Sequence, residues 1–84
     1  MSNAAQIPAS TIQELAGTVY EQCLQAPTGY LFSVQELHDL TPGRYNMEVT
    51  QRILNELLGK RQLQALTQGG APVFKAISRE TLEK

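Results

Sequence analysis

One segment, residues 49–77, limits most strongly what this chain can fold into. It opens with apolar residues at the spacing of one helix face: Val49, Ile53, Leu54, Leu57 and Leu58. Two runs typical of β-strands follow, over residues 62–67 and 72–77, joined by a glycine-rich, uncharged loop at 68–71. The segment therefore predicts a helix over about residues 46–58, followed by a β-hairpin.

Both ends of this helix carry terminal signals. Asn46 is expected to cap the N-terminus, with Tyr45 just outside it as half of a hydrophobic staple. Gly59 is expected to end the helix in the left-handed conformation. Lys60 and Arg61 then place positive charge beside the negative end of the helix dipole.

A first helix is predicted near the N-terminus. Ser10 and Gln13 have the spacing of a capping box, and Pro27 forces the helix to close before it. The apolar face of this helix is formed by Ile12, Leu15, Ala16, Val19 and Cys23.

A strand and a second helix follow. The apolar run at residues 30–32 is too short for a helix and predicts a strand that pairs with the hairpin. Ser33 and Glu36 form a second capping box, which predicts a helix that turns Val34, Leu37 and Leu40 inward and ends before Thr41-Pro42-Gly43.

The order helix, strand, helix, helix, strand, strand is that of a winged helix-turn-helix. This is an α+β fold of three helices with a small antiparallel sheet of two to three strands. We expect it to cover residues 10–78, after a disordered lead over 1–9 and before a tail or linker start over 79–84. One core is expected, formed by Ile12, Leu15, Val19, Leu37, Ile53, Leu57, Leu63 and Ile77.

Charge is divided unevenly along the 84 residues. Before Arg44 the chain has four carboxylates and no Lys or Arg, a formal charge of −4. From Arg44 onward it has seven basic and four acidic residues, a charge of +3. The second half is therefore the half that an acidic partner would approach, but its charge is small for a dedicated nucleic-acid binder.

Residues that carry chemistry are scarce. His38 is the only histidine and Cys23 the only cysteine, whereas metal sites need clusters of such side chains and a disulfide needs two cysteines. We interpret His38 as a surface residue of the second helix and Cys23 as a small buried hydrophobe. No enzymatic activity, cofactor or small-molecule substrate is expected. Membrane association is not expected either, because no apolar run approaches the ~20 residues that span a bilayer.

DNA recognition is the main candidate for a binding function, because a winged helix places its third helix in the major groove. The candidate contact residues for DNA or a protein partner are Arg44, Gln51, Arg52, Asn55, Lys60 and Arg61. Glu48 and Glu56 on the exposed side of this helix would repel phosphates, and the wing tip has no Lys or Arg. The sequence favours protein contacts with at most weak DNA binding. The alternative is a sequence-specific regulator that reads DNA through the third helix.

Three runs of residues resemble one family. They lie at Gly29, Leu31, Phe32, Gln35, Glu36 and Leu37, at Glu56, Leu57, Leu58, Lys60 and Leu63, and at Phe74, Lys75 and Ile77. Over about residues 10–79 the chain resembles the N-terminal winged helix of the TFIIE-beta-like subunit of RNA polymerase III, part of that enzyme's initiation heterotrimer.

The resemblance implies tandem winged helices in a longer chain, of which this chain would hold one. It also implies a non-catalytic role in transcription initiation in the nucleus, with other RNA polymerase III subunits and initiation factors as partners. The family's DNA-proximal work is associated chiefly with later domains, so the resemblance assigns no DNA-binding residue here.

Overall fold

The computed structural model of the chain describes residues 7–43 and 45–82, the last two by backbone alone. Its helices are α1 (Ala9–Leu24), α2 (Val34–Leu40), α3 (Met47–Gly59) and the short α4 (Arg79–Leu82). Its strands are β1 (Leu31–Ser33), β2 (Leu63–Gln68) and β3 (Ala71–Ala76). The predicted α+β class is confirmed, and the arrangement is compatible with a winged helix-turn-helix.

The three strands form one antiparallel sheet in the order β1-β3-β2. Phe74 of β3 lies opposite Phe32 of β1 on one side and opposite Ala65 of β2 on the other. The prediction that the short apolar run pairs with the hairpin is therefore confirmed. The strand begins at Leu31 rather than at Tyr30, whose N–H donates to the Pro27 carbonyl at 3.0 Å in the preceding turn.

The hairpin turn is tighter than predicted. Gly69 and Gly70 both have positive φ angles, 59° and 82°, which two-residue turns of this kind require and which glycine adopts without steric cost. The strands consequently extend to Gln68 and Ala71, which were expected in the loop.

The core lies between the helices and one face of the sheet. Six of the eight predicted core residues belong to it: Ile12, Val19, Leu37, Ile53, Leu57 and Leu63. Leu15 is half-buried and packs against its edge. The core also contains Ile7, Ala16, Tyr20, Cys23, Phe32, Val49, Leu54 and Phe74.

Ile77 was predicted in the core and lies outside it. It is half-buried and follows β3, and its backbone forms two hydrogen bonds. Its N–H donates to the Gln62 carbonyl at 3.0 Å, and its carbonyl accepts from the Tyr20 hydroxyl at 2.5 Å. The ring of Tyr20, 2% exposed, takes part in the core instead.

The start of α1 differs from the prediction. The helix begins at Ala9, and Pro8 occupies the N-cap position with no side-chain hydrogen bond. The Pro8 carbonyl accepts from the N–H groups of Thr11 and Ile12 at 3.1 and 3.2 Å. Ser10 consequently lies in the first turn, and the predicted capping box with Gln13 does not form.

The described part of the chain begins before residue 10, the predicted start of the domain. Ile7 is 8% exposed and packs in the core, whereas residues 1–6 lie outside the described part. At the other end, residues 79–82 form α4, in which Arg79 pairs with Glu21 and lies 5.4 Å from the centre of the Tyr20 ring. A domain boundary at residue 78 stays a prediction.

The predicted caps of α2 and α3 are confirmed. The Glu36 N–H donates to Oγ of Ser33 at 3.1 Å, and the Glu36 carboxylate accepts from the Ser33 N–H at 3.0 Å, so the capping box is complete. Asn46 accepts from the Val49 N–H at 3.2 Å through its side-chain oxygen. These local bonds fix where both helices begin.

The end of α3 is built differently from the prediction. Gly59 is the last helical residue, and the left-handed conformation falls on Arg61, with φ of 61°. The Arg61 N–H donates to the Leu58 carbonyl at 3.1 Å, and the Gln62 N–H to the Leu57 carbonyl at 2.9 Å. This pair of bonds is the Schellman motif, with an arginine where glycine is usual.

Candidate interaction surface

The outer side of α3 presents a continuous polar surface. Helical spacing places Glu48, Gln51, Arg52 and Asn55 in one strip, since residues three and four apart are neighbours on a helix. We call these four residues the α3 strip. Glu48, Gln51 and Asn55 are exposed, and Arg52 is half-buried.

Arg52 is turned toward Ile7, the first of the described residues. Its Nη1 donates to the Ile7 carbonyl at 3.0 Å, a bond between residues 45 positions apart in the sequence. Beside it is a surface depression lined by Ala9, Ile12, Asn55 and Glu56 as well as Arg52. Arg52 therefore holds the backbone at Ile7, two residues before α1, against α3.

Two further cations lie where α3 ends. Nζ of Lys60 is 2.9 Å from a carboxylate oxygen of Glu56, one helical turn earlier, and Glu56 is half-buried. Arg61 is exposed at the left-handed position of the helix end. An ion pair at the protein surface contributes little to stability, but this one places a carboxylate beside one of the candidate cations.

The hairpin offers no charge to a polyanion. The chain has no Asp, Glu, Lys, Arg or His from Leu63 to Phe74. Both glycines of the turn are exposed and no side chain projects from them. A wing of this composition cannot neutralise a phosphate at its tip.

The structure brings together most of the predicted contact residues. Gln51, Arg52 and Asn55 share the α3 strip, while Lys60 and Arg61 lie at its C-terminal end. Arg44 lies outside the described residues. The helical phase predicted from the apolar stripe placed Gln51 and Asn55 correctly on the exposed side of α3, whereas Arg52 and Glu56, expected on the same side, are half-buried.

A second surface was not predicted as a site. Tyr30 is 42% exposed, its ring centre lies 4.7 Å from that of Phe32, and its hydroxyl donates to the Glu36 carboxylate. The bond from the Tyr30 hydroxyl and the bond from the Ser33 N–H hold the pKa of Glu36 below its usual value. The bond between Tyr30 and Glu36 also raises the pKa of Tyr30. The sequence signal was the apolar run followed by a capping box, which we used only to place a strand.

His38 is less peripheral than predicted. It is half-buried, and its Nδ1 lies 2.7 Å from Oγ1 of Thr50, a residue only 1% exposed. The interpretation of His38 as a plain surface residue is therefore wrong, because the side chain bridges two helices.

Cys23 is buried, as predicted, and is 2% exposed. Burial raises the pKa of its thiol to about 11. Within the described residues no group of three or more His, Cys, Asp and Glu side chains could hold a metal ion. No helix in this part of the chain is long and apolar enough to cross a membrane.

The described surface therefore supplies hydrogen-bonding groups on α3 and an aromatic contact between Tyr30 and Phe32. Comparison of the chain with protein-family models, with curated proteins and with solved structures found no match.

Proposed function

We propose that the chain is a non-catalytic winged-helix module that acts through contacts with other proteins and binds duplex DNA at most weakly. The observation that carries this proposal is that two cations near the α3 strip already have partners within the fold. Arg52 donates to the Ile7 carbonyl, and Lys60 lies beside the Glu56 carboxylate. Cations that already have partners within the fold are less available to phosphates.

The remaining charges support the same proposal. Glu48 is exposed in the α3 strip, where it would face the DNA backbone if α3 entered a groove. The hairpin turn carries no cation to offset that repulsion. Because each neutralised phosphate adds affinity and salt dependence, we expect little of either.

The resemblance supports a finer proposal. We infer that the chain is the N-terminal winged helix of a TFIIE-beta-like subunit of RNA polymerase III, which acts in the nucleus during initiation with other polymerase subunits and initiation factors. Phe32, Leu37 and Phe74, three of the resembling positions, are buried core residues. They support a shared fold, while the exposed Gln51 and Asn55 supply hydrogen-bonding groups for a protein partner.

Fluorescence anisotropy with random and promoter-derived duplexes tests the DNA part. We expect a dissociation constant no tighter than about 10⁻⁵ M at physiological salt, in the non-specific range. Glu48→Lys with Glu56→Lys should raise the affinity and steepen its salt dependence, because the change adds cations to α3 and removes the partner of Lys60. Glu14→Lys with Glu80→Lys adds the same charge elsewhere and is the matched control.

Binding to purified RNA polymerase III that lacks its initiation heterotrimer, with and without initiation factors, tests the protein part. Biolayer interferometry should show binding that Gln51→Ala with Asn55→Ala weakens by at least about fivefold, as expected when a few contact residues dominate an interface. Gln13→Ala with Gln22→Ala, on the exposed side of α1, should leave it unchanged. Absence of binding by the native chain would contradict the polymerase proposal.

One observation favours the alternative function, a sequence-specific regulator. Gln51 and Asn55 are exposed on the same side of α3, and their amides have the donor and acceptor groups that read base edges. Submicromolar binding that depends on duplex sequence, lost in Gln51→Ala with Asn55→Ala, would establish the regulator and overturn the protein-contact module.

A further inference from the structure

The outer edge of β2 has backbone hydrogen-bonding groups with no partner among the described residues. β2 is at one edge of the sheet, and the bond from the Ile77 N–H to the Gln62 carbonyl fixes the phase of its ladder with β3. Since the bonded side alternates along an antiparallel strand, Gln64, Leu66 and Gln68 face β3 with their N–H and C=O groups. The groups of Ala65 and Thr67 point away from the sheet, and both residues are exposed.

This edge lacks the usual protection against pairing. Edge strands are commonly blunted by charged side chains, by a proline or by a bulge. β2 has no charged residue and no proline, and its register with β3 is unbroken over all six residues. Leu63, only 2% exposed, is shielded, so the accessible edge begins after it.

We propose that this edge pairs with the same edge of a second copy of the chain, in an antiparallel arrangement about a two-fold axis. The register that uses both exposed residues places Ala65 of each copy opposite Thr67 of the other. The axis then passes beside Leu66, which faces its own counterpart. These two pairs supply four backbone hydrogen bonds between the copies.

The apolar residues beside the axis also favour a second copy of the chain as the partner. Leu66 is half-buried and lies opposite Val73, which is 7% exposed although it is not part of the main core. Two copies in this register join their Leu66–Val73 patches into one. Apolar pairs directly opposite each other stabilise neighbouring strands.

Charge also fits a second copy. In this register residues 62–64 of each copy lie opposite residues 68–70 of the other, where that chain turns back into β3, and none of these residues is charged, so no like charges meet. A charged segment of another protein would find no counter-charge along β2. The edge therefore matches itself better than it matches a charged partner.

The pairing closes at two copies. The other edge of the sheet is β1, which has only three residues, and its Ser33 N–H already donates to the Glu36 carboxylate. The dimer would be a six-stranded sheet with β1 at both ends. Its interface is small, so the dimer should be weak, with a dissociation constant on the order of 10⁻⁴ M.

Sedimentation equilibrium and amide hydrogen exchange of the native chain, from about 20 µM to about 1 mM, test this proposal at concentrations on either side of that affinity. The average mass should rise toward that of a dimer and stop there. Exchange at Ala65 and Thr67 should slow with concentration, while exchange at the β1 edge should not change. A monomer throughout, or growth beyond the dimer, would overturn the proposal.

Substitutions on the axis test the register. Leu66→Lys and Leu66→Glu each bring like charges together and should weaken self-association by at least about tenfold, whereas an equal mixture of the two should recover it as a mixed pair. Thr67→Pro removes only an outward N–H and should weaken it similarly without adding charge. Gln22→Lys, on the exposed side of α1, is the control for charge.

Thermal melts establish that each variant is folded before its mass is compared. If Leu66→Lys or Leu66→Glu does not fold, Thr67→Pro and the exchange pattern of the native chain decide the outcome. A dimer that persists in all three edge variants would place the interface elsewhere and overturn the proposal.

Discussion

Nδ1 of His38 lies 2.7 Å from Oγ1 of Thr50, and this hydrogen bond joins α2 to α3. Thr50 is 1% exposed, so its hydroxyl is withdrawn from water and needs a partner within the protein. The half-buried ring of His38 provides it. The orientation of the two helices is therefore fixed by a polar contact in addition to core packing.

We expect His38 and Thr50 to be energetically coupled. His38→Leu should cost about 1–3 kcal/mol, since it leaves a buried hydroxyl without this partner. A double-mutant cycle with Thr50→Val, measured by urea denaturation, should give a coupling of about 0.5–1.5 kcal/mol. The exposed pair Gln35 and Asp39 is the control and should couple by about 0.2–0.5 kcal/mol. A coupling no larger than that of the control would show that the bond contributes nothing specific.

Leu57 is the most deeply buried residue of the core, with 0% exposure. Leu57→Ala should lower the free energy of unfolding by about 2–5 kcal/mol, because it leaves a cavity among well-packed side chains. Since small domains are only marginally stable, the variant should be partly unfolded at 37 °C. Leu58→Ala, at the half-buried neighbour, should cost less in the same thermal melts. Equal losses of stability in the two variants would contradict the central position of Leu57 in the core.

Arg61 should be replaceable by glycine with a gain in stability. Its φ of 61° lies in the left-handed region, which costs a side chain about 1 kcal/mol that glycine does not pay. Arg61→Gly should therefore raise Tm. Lys60→Gly is the matched control and should lower Tm, because Lys60 has φ of −89° and is paired with Glu56. A lower Tm for Arg61→Gly would mean that the arginine side chain has a contact worth more than the strain.

Glu36 should make stability depend on pH in the acid range. Its hydrogen bonds with the Tyr30 hydroxyl and the Ser33 N–H lower its pKa in the folded state. A lowered folded pKa gives stabilisation that is present above the unfolded value near 4.5 and is lost as the pH falls through the folded value. Glu36→Gln should therefore lower Tm at neutral pH, and its difference from the native chain should shrink on acidification.

Tyr30→Phe provides the control for this pH dependence. It removes the largest single cause of the lowered pKa of Glu36 and leaves the Ser33 bond in place. Part of the pH dependence should therefore remain. A Tm difference between Glu36→Gln and the native chain that stays constant across the acid range would contradict the assignment.

Features that depend on a few neighbouring residues could be predicted from the sequence. The Ser33–Glu36 capping box and the Asn46 cap are of this kind, and both are present. The left-handed residue at the end of α3 was predicted at Gly59, because glycine is the usual residue in that conformation. Two bonds that close the Schellman motif place the left-handed residue at Arg61 instead.

Contacts between distant parts of the chain could not be predicted in this way. The bond from Arg52 to the Ile7 carbonyl spans 45 residues, and the bond from Tyr20 to the Ile77 carbonyl spans 57. Helical phase identified Gln51 and Asn55 as exposed, but no local pattern shows which cations already have partners. The free edge of β2 became visible only with the strand order, since either hairpin strand could have been central.

The buried thiol of Cys23 has a practical consequence. With a pKa of about 11, it is almost wholly protonated at neutral pH, and its 2% exposure keeps electrophiles away. Alkylating reagents can therefore react only during transient openings that expose the end of α1. Because this is the only cysteine, the rate of thiol modification reports directly on those openings, and no other residue has to be replaced to measure it.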